Sequence, residues 1–433
     1  MKRNFFWMLL LLLPALLPAQ QDPQGQKFGI TLSGYVKSDF MLDSRQTFAP
    51  REGHFLLWPM PIAADEFGED LNAGWNTNFL PVQSQLSVKI TAPDVCGAKV
   101  SGVLEGDFFG TTNADVNLLR LRHAYSKLNW ERSEVLVGQF WHPLFNTACF
   151  PATVSFNTGA PISPFSRDPQ IRASYFLGKL RFTASAVEQR DYPSYGPAGG
   201  TSTYLRNAGI PELYGEIVFS EKNNTNNTAF TSGIIFGTKT IVPRTESKMG
   251  TKTYKVNESV SSLAASAFVN LKLAPVTIKF TGAYGENLAD VLSISGYAVT
   301  GVTDTLTGAR TYAPTASMIL WTDIHTNGPT WQGGLYAGIN RNLGTTEVMA
   351  NPQADMYGLG YNNKYEIAEI LRIAPRLIYQ QGRYRVAAEL EYTRASFGTP
   401  NTAGVILRDN HGLPLKTYEV ENLRLLLAAY LFF

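Results

Sequence analysis

Along most of the chain apolar and polar side chains alternate one by one, the period of a strand with a different medium on each face. From Arg383 to Thr393 one row is Tyr384, Val386, Ala388, Leu390 and Tyr392, and the other is Arg383, Arg385, Ala387, Glu389 and Glu391. Leu80, Val82, Leu86, Val88 and Ile90 alternate with Gln83, Gln85, Ser87 and Lys89. Leu263 to Leu271 alternates with Ser262, Ser266, Asn270 and Lys272, and Val276, Ile278, Phe280 and Tyr284 with Thr277, Lys279 and Thr281. Leu371, Ile373, Leu377 and Tyr379 oppose Arg372, Arg376 and Gln380. Pro375 lies in that strand and has no ladder N–H, which predicts a bulge.

Two architectures bury one face of such strands: a soluble sandwich and a membrane barrel. Tyr384 and Tyr392 bracket an apolar row, as the aromatic girdles of a barrel require. Short connections centre near 93–97, 131–133, 178–179, 223–227, 274–275, 327–329 and 381–382. Long ones cover about 43–76, 142–168, 190–209, 241–257, 287–314, 343–363 and 398–417, with a shorter one near 110–117. This rhythm predicts an all-β fold, a transmembrane antiparallel barrel of about 16 strands with short periplasmic turns and long external loops.

The two ends agree. Lys2 and Arg3 precede an apolar run from Phe5 through Leu17, followed by Ala19 and Gln20. That is the layout of a cleaved secretory signal over residues 1–20, leaving 21–433 as one barrel domain in the cell outer membrane, among its lipid and lipopolysaccharide. At the other end Leu423, Leu425, Leu427, Ala429 and Leu431 form an apolar row that finishes at Phe433. Such an ending resembles the signal read by barrel-assembly machinery, an expected partner.

Parity decides which charges face the lumen. Arg120, Arg122, Arg172, Arg181, Arg372 and Arg376 fall on the polar rows, with Arg167 at the end of a long loop and Glu105 and Asp107 among fewer anions. Grouped cations raise the local anion concentration, and guanidinium suits carboxylate and phosphate. The expectation is a passive, water-filled channel with weak anion preference, its constriction nearest Arg120, Arg122, Arg167 and Arg172. The alternative is that these arginines pair with Glu105, Asp107, Glu389 and Glu391 and brace the wall. The loop at 142–168 carries Pro143, Pro151, Pro161 and Pro164 among Phe145, Phe150, Phe156 and Phe165. Aromatic residues in a loop call for a surface to bury them, so this loop is expected to fold into the lumen. A loop seated at a subunit contact is the other solution.

Other chemistry finds little support. His54, His123, His142, His325 and His411 show no metal-ligand spacing, and no GxSxG or HExxH motif occurs. No cofactor, no metal and no enzymatic activity are expected. A hydrolase site assembled from distant strands, and a barrel acting as a scaffold, adhesin or secretion partner, are the rival readings. His123 falls on the lipid-side parity. The formal net charge of +2 offers no basic surface for nucleic acid. Cys96 and Cys149 are expected at opposite ends of the barrel, unpaired.

One segment carries a resemblance. Leu121-Arg122-His123-Ala124-Tyr125, then Val137-Gly138-Gln139, then Arg167, Pro169, Gln170, Ile171 and Arg172 resemble the DcaP-like outer-membrane porins and, more distantly, the phosphate-selective porins. The motifs span roughly an eighth of the chain. The resemblance implies a barrel of about sixteen strands, a homotrimer and passage of small organic anions. The supporting coiled coil of some members has no counterpart heptads here.

Overall fold

A computed structural model describes residues 28–362 and 365–433. The segment read as a signal peptide lies outside the described residues. Sixteen antiparallel strands close into one barrel. In chain order they are β1 Gly29–Asp43, β2 in two pieces (Asn76–Leu80 and Gln85–Val95), β3 Ala98–Asp107, β4 Arg120–Asn129 and β5 Ser133–Trp141. There follow β6 Arg167–Leu177, β7 Leu180–Val187, β8 Glu212–Asn223, β9 Thr228–Ile241, β10 Val260–Lys272 and β11 Val276–Glu286. The last are β12 Ala309–Thr326, β13 Trp331–Thr345, β14 Ile367–Gln381, β15 Tyr384–Gly398 and β16 Thr417–Phe432.

Each strand pairs with its sequence neighbours, and the seam closes where Tyr35 to Asp43 of β1 run against Phe432 to Arg424 of β16. Phe433 completes the seam: its N–H donates to the Gly34 carbonyl at 3.1 Å, and its own carbonyl accepts from Gly34 at 3.2 Å. Closure leaves no unpaired edge, which a lipid environment demands because it offers no water to satisfy backbone groups. The seven short turns and eight long connections fall where the alternation puts them. The interior-facing rows hold Ser262, Ser266, Arg372, Glu389 and Arg424, all buried, while Leu263, Val269, Leu377, Leu390 and Leu427 are exposed outward.

Three local expectations are corrected. Leu80 and Val82 are buried inside, not outward, because β2 breaks at 81–84. Phe79 takes the outward position opposite Phe40, and Leu80 faces Asp39. An interruption of this kind flips every following side chain. Pro375 makes no bulge: Ile373↔Tyr392 and Arg376↔Glu389 keep one register on either side of it. Skipping one ladder bond is enough to accommodate a missing donor. His123 is buried inside because Glu105 pairs with His123 and Gly106 with Leu121, so Arg122 is an extra residue in β4. The ring packs against Phe140 and Trp141.

Candidate functional site

The loop after β5, residues 142–166, crosses the lumen. Its two ends are tied together by the His142 N–H donating to the Ser166 carbonyl at 3.0 Å. Between them the loop visits most of the wall. Asn146 Nδ2 donates to Glu216 on β8 at 3.0 Å, and Asn270 of β10 donates to the Ala148 carbonyl at 2.8 Å. Lys279 of β11 donates to the Phe150 carbonyl at 3.0 Å, and the Ala152 N–H donates to Asp323 of β12 at 3.2 Å. The Val154 and Ser155 N–H groups both donate to the Glu389 carboxylate of β15, at 2.7 and 3.0 Å. Lys37 of β1 donates to the Val154 carbonyl at 3.0 Å. On the return, Asn340 of β13 donates to Pro161 at 2.7 Å and Arg372 of β14 to Ala160 at 2.6 Å.

This is how an irregular segment survives at membrane depth: the strands' inward polar side chains satisfy its backbone groups. Free Cys149 is buried on the loop, its thiol 3.4 Å from the Val269 carbonyl, while free Cys96 is exposed at a short turn.

A second loop, 44–75, also folds inward and meets the first. Phe55, Leu56, Leu57 and Trp58 are fully buried. Phe156 stacks on Phe109 at 4.0 Å between ring centres, and Phe55 packs against Phe156 and Phe165 at 5.3 and 5.4 Å. Arg372 joins the two loops, since its guanidinium also donates to the Leu56 and Leu57 carbonyls at 3.2 and 3.1 Å. Arg424 holds the same loop through the Gly53 carbonyl at 2.7 Å while pairing with Asp43.

His54 adds a pH-sensitive fastening. Its Nε2 lies 2.9 Å from Asp39. Burial depresses its pKa below the ordinary value; Asp39 opposes this, and Lys37 and Arg424 reinforce it. The unfolded chain therefore takes up the proton first. The contribution of neutral His54 is full above the unfolded value of about 6.5 and is lost as pH falls through the depressed folded value. Limited proteolysis is expected to cut loop 44–75 faster at about pH 5 than at about pH 7.5, and His54→Gln is expected to flatten the difference. Equal cutting rates at both pH values in the parent protein would refute this.

The arginines singled out from parity divide into two groups. Arg120 clasps Asp107 at 2.8 and 3.1 Å and lies over Phe109, and Arg122 bridges Glu105 and Asp107 at 2.8 Å each. Arg167 reaches Asp191 at 3.0 Å and stacks on Trp141. Arg376 clasps Asp323 at 2.8 and 2.9 Å, and Arg372 lies 3.2 Å from Glu391. All five are buried and each has a carboxylate partner.

Arg172 and Arg181 stand apart. With Lys127, Glu134 and Glu216 they line a lumenal cavity of about 110 Å³ near the short turns. Lys127 and Arg181 pair with Glu134 and Glu216 at 3.0 Å each. Arg172 has no carboxylate partner among the described residues; it donates to Gln170 and the Trp141 carbonyl and lies over Phe140. Arg385 does the same in a second cavity of about 280 Å³ under the loop, beside Arg376 and Gln83. It donates to Gln380 and lies over Tyr430 and Phe432.

Among the described residues, the closest approach to a metal site is His142, Glu212 and Asp290, all buried with ligand atoms within 4.8 Å. The arrangement argues against an ion. His142 Nδ1 accepts from the Leu144 N–H, which leaves the hydrogen on Nε2 toward Glu212. The Lys239 ammonium, bonded to Asp290 and to the Asn287 carbonyl, supplies the positive charge.

No family model and no curated protein matches this sequence. Solved structures do. The outer-membrane channel DcaP of Acinetobacter baumannii superposes with a TM-score of 0.63 at 15% identity, over 94% of this chain and 97% of that one. This chain has the fold of an outer-membrane channel. OmpT of Vibrio cholerae follows with a TM-score of 0.51 at 8% identity, over 95% and 100% of the two chains. A trimer form of the same Vibrio protein gives 0.50 at 10% identity, over 94% and 99%.

Several anchors of the crossing loop have no signal in strand parity. Asn340 and Asp323 become visible only once the loop lies against them, whereas Asn270 already stood on a polar row. The inward fold of 44–75 did have a signal: the run Phe55-Leu56-Leu57-Trp58 is too apolar for a solvated loop.

Proposed function

We propose that this barrel is a porin of the outer membrane, a passive channel for small hydrophilic solutes with a weak preference for anions. The observation that carries the preference is the pair of guanidinium groups, Arg172 and Arg385, that face lumenal cavities while no described carboxylate forms an ion pair with either. Arg120, Arg122, Arg167, Arg181, Arg372, Arg376 and Arg424 are each neutralised by a carboxylate and serve to hold the wall and the loops. Two half-buried positive centres beside low-dielectric walls concentrate small anions where the lumen is narrowed.

On this reading residues 1–20 direct secretion, Phe433 is read by the assembly machinery, and no reaction is catalysed. The likeness to a Vibrio protein that has a trimer form supports a homotrimer. The aromatic contact between Phe109 and Phe156 supports one rival, a barrel held shut as a scaffold. Reconstitution into a planar bilayer separates them. Discrete conductance steps are expected, and silent membranes containing folded, heat-modifiable barrel would overturn the channel reading.

A further inference from the structure

On the loop side, away from the lumenal cavities, the connections after β7, β13 and β15 enclose a recess of about 500 Å³. Its size falls in the range of small-ligand sites, about 300–1,000 Å³. Tyr195, Tyr357 and Tyr361 supply its aromatic walls, and Gln353, Asp355 and Arg408 its polar groups.

The walls are built in place. Tyr357 packs on buried Tyr297 at 5.3 Å between ring centres. Tyr195 sits on a two-residue hairpin arm whose next residue, Gly196, lies so close to Tyr204 and Tyr297 that a Cβ there would come within 2.6 Å of both. Backbone at Gly358 pairs with Gly296 and fixes the floor.

The charges of the recess are already spent. Arg408 Nε donates to Glu366 at 2.8 Å, and its Nη1 donates to the Ala354 and Pro352 carbonyls at 3.0 and 3.3 Å. Asp355 pairs with Arg310 at 2.9 Å and accepts from the Tyr357 hydroxyl at 3.2 Å. What such a surface offers a ligand is flat apolar rings beside neutral hydrogen-bonding groups, with no net charge among the described lining residues to select an ion. A pyranose matches it: C–H faces for the tyrosine rings and a rim of hydroxyls for amide, phenol and backbone groups.

We propose that this recess binds a neutral saccharide. The sugar is either part of the core oligosaccharide of the surrounding leaflet or a free oligosaccharide; the recognition chemistry is the same. The site is independent of the channel reading, since a barrel that conducts nothing could still present it.

The test uses the full-length barrel, purified in detergent and labelled, on a printed array of neutral and acidic glycans that includes the neutral hexose oligosaccharide of the lipopolysaccharide outer core. Binding to neutral glycans is expected. Tyr357→Ala and, separately, Tyr195→Ala are expected to weaken it at least about tenfold, the equivalent of 1.4 kcal/mol. Arg172→Gln, in the lumen, is expected to leave it unchanged. Heat-modifiability on gels confirms that each variant is folded. Preference for the core assigns the site to the leaflet, and preference for free oligosaccharides assigns it to a solute; either supports the proposal. No glycan binding, binding only to acidic glycans, or binding unchanged in both folded tyrosine variants would overturn it. Conductance of the same preparation is recorded alongside, so failure of the channel reading and failure of this site are told apart.

Discussion

Arg372→Met is expected to release the lumenal loop, giving higher and noisier single-channel current than the parent barrel. Arg372 is fully buried and bonds three carbonyls on two loops, those of Leu56, Leu57 and Ala160. Its removal leaves those acceptors unsatisfied and strands buried Glu391 without its partner. Breaking a buried pair from one side costs about 3–5 kcal/mol. The loss should show as a lower denaturant midpoint of the reconstituted barrel. Replacing Glu391 by leucine in the same chain should recover part of it, because the orphaned charge is then gone. A variant with parent stability and parent current would mean that the loops are held elsewhere.

Reversing Arg172 and Arg385 together to glutamate is expected to turn the channel from anion-preferring to cation-preferring. Each substitution changes the local charge by two, at a guanidinium that no carboxylate pairs with; beside Arg172 the Glu134 and Glu216 carboxylates are held by Lys127 and Arg181. At an effective dielectric of about 20, one unit charge acts on a passing ion 4 Å away with about 4 kcal/mol, well above thermal energy. Arg120→Gln is expected to move selectivity much less, since Asp107 already neutralises that guanidinium. The contrast should be largest at low salt, where screening is weak. Selectivity that tracks Arg120 rather than Arg172 and Arg385 would return the constriction to β4.

Strands were legible because a barrel wall separates two media at every residue, so side-chain parity writes itself into the chain. Arg383 to Thr393 and the strand ending in Phe433 illustrate this. The Pro and Phe residues between Trp141 and Arg167 likewise announced a loop that buries its own face. What parity could not carry is any departure from period two. The extra residue at Arg122 turned His123 inward, and the break at 81–84 turned Leu80 and Val82. Partners were also hidden. Arg376 stands opposite Glu389 in the ladder, yet it clasps Asp323, two strands away, because Glu389 is occupied by the Val154 and Ser155 backbone. Which carboxylate an arginine meets depends on how loops fill the barrel, and strand periodicity holds no record of that. The distinction between braced arginines and the two free ones therefore came only with the three-dimensional arrangement.

A water-filled path biased toward anions sets the zero-current potential of the parent barrel in a planar bilayer under a potassium chloride gradient. Discrete channels are expected, with the potential displaced toward the chloride equilibrium value; displacement toward the potassium value would overturn the anion preference.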